Sequence, residues 1–277
     1  MTSPIFISLV NQSTQYSDAL LPALANALQI QVTRDFYPIW GINAKVFYTP
    51  TGKNPTASHW PLVLLDNSDQ ANALGYHDES TTGAPLGKIF VATTLADGEK
   101  VEVTASHEFL EMLGDPYINL AAQDGAVLWA YEMCDMVEND SYDITIPAGW
   151  AGAGTAVPVS NFALPSWWQS ALPGPYDFLK KLTAPLMLTP GGYMSMLDLN
   201  KPSQGWVQIN GRMDTAVQKV RARPHVGSRR LLRQIAKADR VRSTYTPGTD
   251  AIASACWHAC LNASTRRPHE ESNSHRG

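Results

Sequence analysis

Cysteine is scarce in this chain, with three in 277 residues, at positions 134, 256 and 260. Cys134 stands far from the other two, which argues against a disulfide framework and makes a reducing compartment the simpler setting. Long apolar runs are missing as well. No stretch is long and apolar enough to span a bilayer, and the opening MTSPIFISLVNQ has no basic leader. Its short apolar run ends at Asn11 and Gln12, so it reads as a first strand rather than a signal peptide. A cytoplasmic protein without a membrane partner is expected. No internal repeat is present, which sets repeat architectures aside. What remains, 44% hydrophobic and 17% charged residues, fits a soluble globular chain with a sizeable core.

The net charge of −4 conceals an uneven distribution. Residues 219–243 carry nine Lys or Arg against Asp239 alone, which leaves residues 1–218 at about −12. An acidic body is therefore joined to a basic segment. That segment has few aromatics and no recognisable nucleic-acid-binding motif, so a solvated helix or a docking tail for an acidic partner competes with phosphate contacts to nucleic acid. Self-association with the acidic body is a further option. Residues 244–277 are polar, and their end, STRRPHEESNSHRG, reads as a disordered tail.

Along the body, Ile5 to Val10 reads as a buried strand. A helix capped by Ser17 or Asp18 follows, with Leu20, Leu24 and Leu28 at helical spacing. Three more apolar runs, AKVFY at 44–48, PLVLLD at 61–66 and KIFVATT at 88–94, read as strands because turn formers bound each of them. The long connection ANALGYHDESTTGAPLG reads as a loop at a functional edge, with His77 exposed on it rather than reaching the metal site as a ligand. A helix then begins near Val103 and cannot pass Pro116. From Ala121 the texture becomes aromatic and rich in Gly and Pro. Short strand-like runs at VLWAY, VPVSNF and GWVQI, and a hairpin around Pro190-Gly191-Gly192, are expected there, with Trp150, Trp167 and Trp168 in the core or an interface rather than lining a substrate cleft. The organisation expected is α+β: a first unit over 1–140, a hairpin-rich extension over 141–218, the basic segment at 219–243 and the tail at 244–277.

The chemistry concentrates in TASHEFLEMLGDPY, Thr104 to Tyr117. Residues four apart on a helix lie about 40° apart around the axis and roughly 6 Å along it, so His107 and Glu111 stand side by side and can share one metal ion. Glu108 points to the adjacent sector, where it can take a proton from a water activated by the ion without being a ligand. A solvated charged face is the competing reading. Phe109, Leu110, Met112 and Leu113 count against it, because they occupy much of the circumference and bury the helix, and buried charges without partners are costly. Relative to His-Glu-x-x-His, a carboxylate in the second ligand position makes the site harder and less selective for zinc, so Mn or Ca are alternatives to Zn.

The order strand, helix, three strands, then a helix carrying His-Glu-x-x-Glu resembles the catalytic half of the zincin metallopeptidases. Gly114 falls where metzincins have the glycine of their extended motif. SHEFLEMLGDP, with YEMCD at 131–135, is also similar to uncharacterised bacterial and tailed-phage proteins with Ser-His-Glu-x-x-Glu-x-x-x-Asp-Pro and a following Glu-x-x-Asp. The resemblance covers roughly residues 1–140. It implies a zincin-like half, with a mixed sheet on a helix plus the active-site helix, and a third ligand from beyond the motif. Glu132, 25 residues after His107, matches the downstream glutamate of gluzincins and is favoured; Asp115 is the alternative if the turn after Gly114 is sharp. Asp135 matches the acidic residue that orients the first histidine. Tyr131 or Tyr142 can donate to a developing oxyanion. Tyr117 stands where metzincins have their third ligand, which departs from that pattern.

The resemblance thus implies a metal-dependent hydrolase acting on a peptide or protein, with Glu108 as general base. The alternative is a virion component or other structural or binding protein in which the ion serves stability. Cys256-Trp-His-Ala-Cys260 offers three potential ligands without a fourth nearby and falls short of a structural zinc site. Because residues 244–277 lack a periodic apolar face, their removal is expected to leave the melting temperature unchanged. A drop of several degrees in a thermal melt would show that Trp257 docks on the body.

Overall fold

The structure, a computed structural model, describes residues 3–70 and 73–211, together with the backbone of 218–220. The expected basic segment and tail otherwise lie outside the described residues. The fold is α+β. Its first sheet has five strands: β1 (Ile5–Asn11), β2 (Ala44–Thr49), β3 (Trp60–Leu65), β4 (Gly75–Glu79) and β5 (Pro85–Phe90), in the order β2-β1-β3-β5-β4. The first four strands in that order run parallel, and β4 runs antiparallel along the edge. Ile7 and Leu9 of β1 and Leu62 and Leu64 of β3 are fully buried, as inner parallel strands require.

The helix α1 (Leu21–Ile30) buries Leu21, Leu24 and Leu28. Leu20, expected in that stripe, is instead its exposed N-cap. Neither Ser17 nor Asp18 caps the helix through its side chain: the Asp18 carboxylate accepts from Asn11 Nδ2 and from the Thr51 amide, tying this turn to the end of β2. A π-helical turn, Gln31–Phe36, and a short helix α2 (Tyr37–Trp40) follow.

Two expectations in this half change. KIFVATT is not all strand; β5 ends at Phe90, and Val91–Ala96 forms the helix α3. Tertiary context overrides β-branched propensity there, and the Thr94 hydroxyl donates back to the Phe90 carbonyl at 2.8 Å. The long connection before it contains β4, in register with β5 from Gly75 opposite Ile89 to Glu79 opposite Pro85. His77 on this strand is fully buried rather than exposed.

The central helix α4 (Val101–Gly114) is buried at every position except Lys100-proximal Glu102 and Val103. It packs against β4 and β5 on one side and against β9 (Ala156–Ser160) on another. A buried polar lock fixes its rotation: the Ser106 hydroxyl donates to Gln31 Oε1 at 2.8 Å and accepts from the Ser160 amide, and Gln31 Nε2 donates to the Ser160 carbonyl. Gly75 lets β4 pass close to the helix, since a Cβ there would fall 2.8 Å from Glu108 Cγ. The helix ends with the Asp115 amide donating to the Glu111 carbonyl, and Pro116 cannot continue it.

The later segment holds β6 (Ala121–Asp124), β7 (Val127–Ala130), β8 (Ser141–Thr145), β9, β10 (Tyr193–Asp198), β11 (Val207–Asn210) and β12 (Gln218–Val220). β8 and β9 form a hairpin, and the others make an antiparallel sheet in the order β12-β11-β10-β7-β6. β7, before residue 140, pairs with β10, well after it, so this sheet spans both of the expected segments. The turn at Pro190-Gly191-Gly192 opens β10 but closes no local hairpin, because β10 pairs with β7 and β11. Trp167 and Trp168 are buried as expected and donate to the Met187 and Ala130 carbonyls, but Trp150, expected with them, is exposed in the turn after β8. Among the described residues no helix is long and apolar enough to cross a membrane.

Gly114 marks a second close approach. A Cβ at this position would overlap Met133 Cε, in the segment that follows β7. Overpacking costs about 1–3 kcal/mol, against the roughly 1 kcal/mol that alanine gains over glycine inside a helix. Gly114→Ala is expected to lower the melting temperature, and a thermal melt in which the variant matches or exceeds the wild type would refute this packing.

Candidate metal centre

Six ionisable side chains meet where α4 faces β4 and the segment after β7. His77, His107, Glu108, Glu111, Glu132 and Asp135 are all buried, none more than 7% exposed. Glu108 and Glu111 come from α4 with His107, His77 comes from the edge strand β4, and Glu132 and Asp135 come from the turn after β7. Glu138 joins them from just beyond the 3₁₀ turn Asp135–Val137.

His107 anchors one group. Its Nδ1 lies 2.9 Å from Glu138 Oε2, and its Nε2 lies 3.3 Å from both Glu111 Oε2 and Asp135 Oδ1. With Nδ1 paired to the Glu138 carboxylate, Nε2 is the ring nitrogen turned to Glu111 and Asp135, the arrangement in which a carboxylate partner orients a metal-binding imidazole. Three carboxylates surround one imidazole here, and an imidazolium can balance only one of them. The surplus suits a divalent cation.

The proton affinities respond to the same crowding. Burial acts to lower His107, but the charges of Glu111 and Glu138 and the hydrogen bond with Asp135 outweigh it and raise the imidazole well above its usual value. Burial, reinforced by Glu111, pushes Asp135 well above the carboxylate range. Glu108 is also raised by burial, with its hydrogen bond to His77 opposing. For Glu138 burial acts upward, yet the His107 charge prevails and lowers it. Protons are one way to neutralise such a cluster, and a cation is the other.

His77 anchors the second group with Glu111 and Glu132. Its Nε2 lies 3.1 Å from the Asp115 carbonyl and 3.6 Å from Glu132 Oε2. A carbonyl can only accept, so Nε2 carries the proton in this bond. Nδ1 faces Glu108 Oε2 at 3.6 Å and Glu111 Oε2 at 3.9 Å. In each of the two groups, His77–Glu111–Glu132 and His107–Asp135–Glu138, the ligand atoms lie within 4.8 Å of one another, a spacing able to hold a metal ion.

The structure thus brings His107, Glu108, Glu111, Glu132 and Asp135 together. Asp115 takes part differently: its carboxylate accepts from the Asn119 and Leu120 amides and caps the turn after α4, and only its carbonyl faces the site. Of the two tyrosines proposed from sequence, Tyr142 donates to Asp35 and Tyr131 packs against Trp40 and Trp168. The tyrosine beside the cluster is Tyr193 on β10, whose phenol is raised by burial and then by the charges of Asp135 and Glu138. Sequence reasoning singled out neither Tyr193 nor Glu138 as a candidate site residue.

Comparison with protein-family models gave no match, and comparisons with curated proteins and with solved structures gave no significant match. The site therefore rests on its own geometry. Because a cation must displace protons from raised groups, millimolar Zn²⁺ or Mn²⁺ is expected to raise the melting temperature, and by more at pH 8 than at pH 6. A ligand at about 100 times its Kd adds roughly 2.7 kcal/mol, a shift of several degrees in differential scanning fluorimetry. An unchanged melt with every divalent ion tried would count against a metal centre.

Proposed function

We propose that this protein is a metal-dependent hydrolase, most simply a zincin-like peptidase, with Glu108 as its general base. Zinc fits the imidazole donors, while the majority of carboxylates also suits manganese or calcium. His107, Glu111 and either Asp135 or Glu132 would hold the ion, with Glu138 keeping the proton on His107 Nδ1. When bound, the ion would acidify a water molecule and polarise the carbonyl under attack. Glu108 would accept the water's proton and return it to the leaving nitrogen. The Tyr193 phenol, held un-ionised by burial and by the charges of Asp135 and Glu138, would donate to the developing oxyanion.

The observation that supports this reading most is Glu108 itself. It is buried beside both ligand groups yet belongs to neither. A site that only stabilised the fold would have no use for an additional buried carboxylate, which costs free energy to desolvate.

A second reading has its own support. Of the cluster, His77, His107, Glu108, Glu111, Glu132 and Asp135 are nearly sealed and Glu138 is partly exposed, while a cleft lined by Pro4, Gln29, Asn43 and Phe47 contains none of them. This favours a structural or binding protein, such as a virion component, in which the ion is a staple. Glu108→Gln separates the two readings. In a hydrolase the variant keeps its metal and fold while turnover on a peptide library falls about 10²-fold to 10⁴-fold. If the wild type cleaves nothing across peptides and esters, and Glu108→Gln loses metal as Glu111→Gln does, the hydrolase reading fails.

A further inference from the structure

We infer that the centre holds two neighbouring divalent cations, with Glu111 between them. The inference extends the metal-dependent reading above from one ion to a pair. It starts from a likeness between the two histidines. His107 comes from α4 and His77 from β4, yet each has one ring nitrogen tied to an acceptor: His107 Nδ1 to Glu138 at 2.9 Å and His77 Nε2 to the Asp115 carbonyl at 3.1 Å. Each therefore turns its other nitrogen inward, and both inward nitrogens face the same atom. Glu111 Oε2 lies 3.3 Å from His107 Nε2 and 3.9 Å from His77 Nδ1.

The carboxylates divide in the same way. Asp135 stands on the His107 side, with its Oδ1 3.3 Å from the inward Nε2; on the His77 side Glu108 Oε2 lies 3.6 Å from the inward Nδ1, and Glu132 Oε2 lies 3.6 Å from Nε2, close enough to share an ion with His77 and Glu111. Each imidazole thus has its own carboxylate and shares Glu111. Glu111 is itself oriented, because Oε1 accepts the Cys134 amide at 3.0 Å and leaves Oε2 to face both histidines. A carboxylate fixed at one oxygen and flanked by two imidazoles is suited to bridging two ions, which in two-metal sites lie about 3.5–4 Å apart. His77 is also the one histidine of the pair outside the His-Glu-x-x-Glu motif. The second site would be built by the edge strand, not by the central helix.

The probes are Zn²⁺ and Mn²⁺ added to the full-length chain, followed by removal of unbound metal. Elemental analysis is expected to give about two ions per chain for the wild type. His77→Ala and His107→Ala should each give about one, with circular dichroism showing that the fold is retained. The Mn²⁺-loaded wild type provides a measurement that needs no variant, since two ions sharing Glu111 give an exchange-coupled electron paramagnetic resonance spectrum. A wild-type ratio of one with the spectrum of isolated Mn²⁺ overturns the pair and leaves metal-dependent hydrolysis standing. A ratio near zero removes both.

Discussion

A helix buried on nearly all sides cannot leave its charges to solvent. That constraint governs this fold: α4 carries His107, Glu108 and Glu111 into the interior, and the rest of the structure answers them. Removing one partner from a buried ion pair typically costs about 3–5 kcal/mol, so compensation has to be built in. β4 supplies His77, the segment after β7 supplies Glu132, Asp135 and Glu138, and β10 supplies Tyr193. Rotating α4 by even one residue would turn these groups into apolar neighbours. The Ser106–Gln31–Ser160 lock opposes such a rotation from the helix's other side. Gly75 and Gly114, where a side chain would collide with Glu108 or Met133, allow the flanking segments to come close enough to respond.

Much of this was legible in the sequence, and the parts that were not share a cause. The parallel strands β1 and β3 announced themselves as apolar runs because most of their buried positions are apolar, and β2, at the sheet edge, did so although Phe47 and Tyr48 stay exposed. α4 was legible from its apolar circumference, and its metal-site reading from charges that such a helix has no other reason to bury. β4 was hidden because Tyr76, His77 and Asp78 are buried as polar groups, and hydropathy reads polar residues as exposed. α3 was hidden by Val91, Thr93 and Thr94, whose strand propensity yields to packing. Tyr193 and Glu138 became site residues only through pairing and turn geometry, which no local pattern encodes. Asp115 shows the converse, because the residue is near the site but its carboxylate is occupied by backbone amides.

The burial that makes the centre chemically unusual does not by itself separate its two functional readings. Low access to water strengthens every electrostatic interaction within the cluster, which serves a staple and a reaction equally well. What differs is whether a group stands ready to exchange a proton without holding the ion. On the hydrolase reading Glu108 would be that group; on α4 it lies against Gly75 of β4. A substrate would have to reach it past β4 or past the turn after β7.

β4 is bonded to the sheet along one side only. Edge elements open at lower free energy than the sheet interior, in local excursions that leave the rest of a domain folded. Here such an excursion would carry His77 away from Glu108, Glu111 and Glu132. An ion held by His77 would therefore tie the edge strand to the cluster, and should slow amide exchange along Gly75–Glu79 before it changes the exchange of β1 or β3.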